Sequence, residues 1–147
     1  FYIHRDPNFA VVVAVTKDQR LVLVRQYRHG AEKVLVELPA GAIEKGGGSS
    51  GSSRAGSFWR RPGTGTGKLE FLMKTAPNAA NSTAYAYCYL ATDTEWRRSS
   101  IWMRWKMWQV EFMDLKDVRR ALRDGVFVTS CTCGGPLRGV RNSGREE

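Results

Sequence analysis

The stretch ELPAGAIEKGGGSSGSSRAGSFWRRPG, residues 37–63, begins as the end of a strand and then changes character. Val34 to Leu38 is a short apolar run, and Pro39 and Gly41 break it, as a ring without an N–H and a residue without a Cβ do at a strand end. Residues 46–57 then hold five Gly and five Ser. Each Gly inside a helix costs roughly 1 kcal/mol relative to Ala. A flexible segment is therefore expected over 46–67 in place of a helix. At Phe58-Trp59-Arg60-Arg61 aromatic and cationic residues take over, and Gly46 to Gly63 holds no Asp or Glu, although the chain has 14.

Upstream, Phe9 to Thr16 (FAVVVAVT) is a β-branched run of strand length, Lys17-Asp18-Gln19-Arg20 is a polar turn, and Leu21 to Tyr27 is a second strand. Together they predict a hairpin. Downstream, Lys68 to Met73 resumes strand character, and Thr83 to Ala91 alternates Ala with Tyr85, Tyr87 and Tyr89. A period of two puts the three tyrosines on one face, where packing against the sheet is the commoner outcome and stacking on a base the rarer one. Gln109 to Met113 is a further strand. Asp114 then caps a helix that carries Asp117 in its first turn, Leu115, Val118 and Leu122 on one face, and Gly125 as its stop. Val126 to Thr129 is expected to be extended, and the Cys, Gly, Pro and Arg that follow predict a disordered tail over 131–147.

Val24-Arg25-Gln26-Tyr27-Arg28 and Glu37-Leu38-Pro39-Ala40-Gly41 together resemble the V-R-Q-Y-R and E-L-P-A-G motifs of the Nudix hydrolases, in particular those similar to ADP-ribose pyrophosphatase. The resemblance covers about half the chain. It implies an α/β fold, a Nudix-like α/β/α sandwich with a mixed sheet, and cleavage of ADP-ribose or related nucleoside diphosphate sugars at the pyrophosphate. It also implies Mg or Mn as cofactor and, commonly, a homodimer. Arg25, Arg28 and Glu37 are the substrate-binding residues it implies, and the backbone carbonyl of Ala40 a metal ligand. The chemistry is apt, because a planar guanidinium fork suits phosphate and a carbonyl is a hard oxygen donor.

In that family the E-L-P-A-G turn leads into a helix of pattern G-x5-E-x7-R-E-U-x-E-E-x-G-U, where U is aliphatic. Counted from Gly41, the first required Glu falls on Gly47, and the Arg-Glu-U-x-Glu-Glu run falls on Ala55 to Arg60. No carboxylate remains to hold a divalent cation or activate water, and Glu44 alone does not replace the cluster. The expected state is therefore a Nudix-like sandwich with its box helix and C-terminal helix degraded, catalytically impaired and without a catalytic residue.

A shift of reading frame would account for the loss. Moved back by one base, codons for Phe58-Trp59-Arg60-Arg61-Pro62-Gly63 allow Leu-Leu-Glu-Glu-Thr-Gly, the missing end of the box. Trp and Met have single codons, so the same shift across Trp102 to Trp108 forces an Asp, a Glu and a Val. All five Trp (59, 96, 102, 105 and 108) lie in these two regions, and the acid-free rule holds again over Trp96 to Gln109.

A formal charge of +9 invites a nucleic-acid reading, since Lys and Arg supply phosphate affinity regardless of sequence. Arg54, Arg60, Arg61, Arg97, Arg98, Arg104 and Lys106 carry seven of those nine charges, all within the two odd regions. The alternative function is accordingly a non-catalytic binding protein, with the cationic Trp-rich segment over 96–108 holding nucleic acid or another anion. Cys131 and Cys133, with no nearby His, fall short of a four-ligand zinc site, so reduced thiols and a cytoplasmic location are expected. Phe1 to Asp6 lacks the basic start and apolar block of a signal peptide, and no apolar run reaches the length of a membrane span. One domain over 1–130 is the expected organisation.

The encoding DNA is expected to read in the box and acidic-run frame across residues 57–63 and 101–108, and sequencing it is the check. Codons that disallow the one-base shift would end that explanation.

Overall fold

The computed structural model describes residues 2–43, 68–95 and 108–129. Seven strands and one α-helix occur among them: β1 (Phe9–Thr16), β2 (Arg20–Arg28), β3 (Lys33–Glu37), β4 (Ala40–Ala42), β5 (Lys68–Thr75), β6 (Ala86–Thr94), β7 (Trp108–Asp114) and α1 (Leu115–Arg123). The strands form one mixed sheet in the order β3-β2-β1-β6-β5, with β4 on β1 and β7 on β2. β1 and β6 run parallel, with Val11 beside Cys88 and Val12 beside Tyr89, and the other pairings are antiparallel.

The hairpin expected from Phe9 to Tyr27 is present, but its arms separate. β1 and β2 are in register only at Val15↔Leu21. Beyond that point β3 pairs with β2, as Glu37 opposite Val24, and β4 pairs with β1, as Ala40 opposite Val11. The chain thus runs in along β2, reverses at the buried Leu38-Pro39, and runs out along β1 as a wedge between the two arms. Pro39 O accepts from the Val12 N–H at 2.9 Å, which fixes the apex of the wedge to β1. β4 is a strand that sequence reading misses, because three residues flanked by Pro and containing Gly carry no periodicity.

Both faces of β1 are buried. Its odd-numbered residues Val11, Val13 and Val15 join Leu21, Leu23, Val36 and Leu38 in a core that Val118 and Ala121 of α1 and Phe127 cover. The even-numbered Val12 and Ala14 pack with Val22 and Ala91 on the opposite face. A sheet covered on both sides is what the α/β/α expectation requires. The expected box-helix damage and the 131–147 tail lie outside the described residues.

α1 begins and ends as its sequence indicates, with one difference. Asp114 stands at the N-cap in extended conformation but makes no side-chain capping bond. Instead the Leu115 N–H bonds to Gln19 O in the β1–β2 turn at 3.2 Å, tying the helix start to the hairpin. At the other end Gly125 takes φ +70°, Gly125 N–H reaches Leu122 O, and Val126 N–H reaches Ala121 O. These two bonds form a Schellman cap, which satisfies carbonyls the helix leaves open. The segment after it is not a strand, and Phe127 turns into the core.

Replacing Leu38 with Ala is expected to lower the free energy of unfolding by about 2–5 kcal/mol in urea melts, as for other buried Leu to Ala changes. Val128→Ala, at an exposed position outside regular structure, should cost less than about 0.5 kcal/mol. Equal effects would mean that the wedge apex does not brace the sheet.

Candidate substrate site

Strand alternation sorts the residues of the V-R-Q-Y-R motif. Val24, Gln26 and Arg28 project from one face of β2, Arg25 and Tyr27 from the other. Glu37 lies directly opposite Val24, so its side chain shares the face of Gln26 and Arg28. The consequence is a three-residue cluster: Gln26 Nε2 donates to Glu37 Oε2 at 2.9 Å, and Arg28 Nε donates to the same oxygen at 2.7 Å. The Glu37 side chain is only 7% exposed, whereas that of Arg28 is 46% exposed.

The asymmetry has a physical origin. A buried carboxylate needs hydrogen-bonding partners or its desolvation is uncompensated, and here both donors converge on it. Arg28 contributes only its Nε, so its two terminal nitrogens take no part in that bond. Glu37 therefore positions an arginine whose outer donors can meet an anion.

Arg25 meets a different fate. Its Nε and Nη2 both engage Glu111, the latter at 3.1 Å, in a two-pronged pair across β2 and β7. The hydrogen bond to Glu111, and secondly the charge of that carboxylate, hold the Arg25 guanidinium above its ordinary pKa. The two arginines that the motif sets three residues apart are thus not brought together. Gln26 and Glu111, which the sequence reading passed over, are the partners that separate their roles. Alternation along β2 could have identified Gln26, while Glu111 required the β2–β7 register.

Ala40 completes the neighbourhood through its backbone. Val12 N–H to Pro39 O and Ile43 N–H to Asn8 O, each 2.9 Å, mark the bonded pairs of the β1–β4 ladder. Ala40 falls between them, at a non-bonded position, so its N–H and C=O point away from β1. A carbonyl so directed is free of the β1 ladder and is a hard oxygen donor.

One carbonyl does not make a divalent-metal site. No group of three or more His, Cys, Asp or Glu able to hold a metal occurs among the described residues, and Glu37 already accepts from Gln26 and Arg28. The donor set among the described residues does not fit Mg²⁺ or Mn²⁺, which need several oxygen ligands from carboxylates, water or phosphate. Glu44, Cys131 and Cys133 lie outside the described residues.

A cleft at the opposite end of β2, lined by Thr16, Lys17, Asp18, Arg20, Thr94, Glu95 and Phe112, is a poor competitor. Its charges are matched internally, with Lys17 on Glu95 at 2.5 Å and Arg20 on Asp18 at 2.6 Å. The Arg20 guanidinium also lies over the Phe112 ring at 4.9 Å.

A double-mutant cycle of Arg28→Ala with Glu37→Gln should give a coupling of about 1–2 kcal/mol. That value lies toward the lower end for hydrogen bonds to charged groups because half of Arg28 is in solvent. The Arg25 and Glu111 cycle, between two partly exposed side chains, should give the smaller coupling of the two. The reverse order in chemical denaturation would contradict the assignment of Glu37 as the buried anchor.

No family model matches the chain. The Methanol dehydrogenase activator of Bacillus methanolicus is 48% identical over 44 residues, which are 30% of this chain and 24% of that protein. The ADP-ribose pyrophosphatase of Bacillus subtilis (strain 168) is 41% identical over 44 residues, with the same shares. The chain spans about a quarter of the length of these curated relatives. Among solved structures, the crystal structure of an ADP compounds hydrolase superposes with a TM-score of 0.73 at 21% identity, covering 91% of this chain and 70% of that one. With its seven-stranded mixed sheet and wedge at Glu37 to Ala42, this chain has the Nudix-like fold.

Proposed function

We propose that the chain derives from a Nudix hydrolase that splits ADP-ribose or a related nucleoside diphosphate sugar at its pyrophosphate, and that it retains anion binding without turnover. The observation that carries this reading is the buried Glu37 carboxylate holding Arg28 by Nε, beside a wedge whose Ala40 carbonyl is free of the β1 ladder. Arg28 offers its outer donors to a phosphate, and Glu37 keeps the guanidinium oriented. Arg25 acts indirectly, by joining β2 to β7 through Glu111. The 44-residue likeness to an ADP-ribose pyrophosphatase supports the substrate class.

The impairment follows from the sequence. In intact relatives several Mg²⁺ ions neutralise the phosphates, and the box carboxylates hold them. Residues 46–63 contain no carboxylate, so this chain lacks the means to hold those ions or to activate water. A frame shift would explain how such a chain arises. A homodimer, common among intact relatives, belongs to the same reading. No helix among the described residues is long and apolar enough to cross a membrane.

The other reading, nucleic-acid binding by the cationic Trp-rich segment, rests on residues 96–108, of which 96–107 lie outside those described. It carries a separate signature: affinity that falls steeply with salt and is lost when Trp102, Trp105 and Arg104 are all replaced by Ala.

With ADP-ribose and Mg²⁺ the chain should show no enzyme-like turnover, and by calorimetry Arg28→Ala should weaken ADP-ribose binding about tenfold or more. Efficient hydrolysis would overturn the impairment. Unaltered affinity in the Arg28 variant would remove Arg28 from the site.

A further inference from the structure

The tyrosines of β6 lie on the same face of the sheet as the Glu37 cluster, but on the far side of β1 from it, toward the β5 edge. Registers Phe71↔Tyr89 and Lys74↔Tyr87 set Phe71, Lys74, Tyr87 and Tyr89 on one face, and Tyr85 extends the row just before β6. These rings are not all packed away. Tyr89 is buried and takes Phe71 edge to face, with centroids 5.6 Å apart, yet Phe71 remains 50% exposed and Tyr85 43% exposed. Between them stands Lys74, whose ammonium lies 3.9 Å from the Tyr85 ring centroid and 5.5 Å from that of Tyr87.

The mixture restricts the occupant. A purely apolar partner would bury the Lys74 charge without compensation. A simple anion would use Lys74 and leave the rings idle. A ligand with aromatic faces and negative charge in alternation matches both. The exposed rings are also far apart: Tyr85 precedes by four residues the Tyr89 against which Phe71 packs, about 13 Å along an extended chain. One base cannot touch both.

We propose that this face binds single-stranded nucleic acid, with different bases stacked on Phe71 and Tyr85 and a backbone phosphate held by Lys74 between them. Stacking of this kind tolerates any base, because each has a π-face. The assignment is independent of the pyrophosphatase reading, and it uses none of the residues of the Trp-rich segment.

The test is fluorescence anisotropy of a labelled oligothymidylate of about ten nucleotides titrated with the full chain. Phe71→Ala and Tyr85→Ala should each weaken binding about fivefold or more, the lower end for loss of one stacked base because both rings are half in solvent. Lys74→Ala should reduce the steepness of log affinity against log salt by about 0.7, the contribution of one phosphate contact in a single strand. Arg119→Ala, which removes the same charge from the exposed side of α1, should leave that slope unchanged. Circular dichroism of each variant confirms that the sheet is intact. The proposal is overturned if the unsubstituted chain does not bind the oligomer or if both ring variants bind as tightly as it does. It also fails if thymidine monophosphate competes as well as the oligomer, or if Tyr85→Ala converts a dimer to a monomer, which would make the face a contact between copies.

Discussion

The structure depends on a hairpin held open. β1 and β2 close at Val15↔Leu21 and are then kept apart by a chain reversal whose tip, Leu38-Pro39, is buried between them. The backbone accounts are balanced by one contact in particular, Val12 N–H to Pro39 O. Without it a buried amide would lack a partner, at a cost of about 1–3 kcal/mol. Proline has no N–H to return, so this rung of the ladder rests on that single bond. The residue just before the tip, Glu37, is carried inward with it, and its carboxylate in turn requires Gln26 and Arg28.

Two arginines of one motif show how little residue type alone determines. Arg25 and Arg28 sit on the same strand with comparable exposure, yet they project from opposite faces. One has its donor fork closed on Glu111 across a strand pair; the other is held by a single nitrogen on a buried acid. The first is a brace between strands and the second a presented cation. The distinction comes from a period of two meeting a spacing of three.

Much of the framework was readable beforehand. FAVVVAVT, RLVLVRQYR and KLEFLMKT announce strands through β-branched and alternating residues, and the Asp114 to Gly125 helix through its apolar face and its glycine stop. What escaped was whatever depends on distant partners. β4 exists because β1 offers an edge, not because Ala40-Gly41-Ala42 favours a strand, and the parallel pairing of β1 with β6 joins segments more than seventy residues apart. Of the candidate site, Arg28 and Glu37 were named from the motif, but their mutual bond is set by the β2–β3 register, and the direction of the Ala40 carbonyl by the β1–β4 register. The packed-or-stacking question over the tyrosines has a divided answer, since Tyr89 is buried and Tyr85 is exposed.

The register of β5 against β6 slips between Phe71 and Met73, on a strand that closes one edge of the sheet among the described residues. An outer strand of regular spacing is a ready template for further chains, and an extra residue that twists it spoils the match. The irregularity at Leu72 therefore breaks the even spacing that a further strand would need to pair along this edge, beside the half-exposed ring of Phe71.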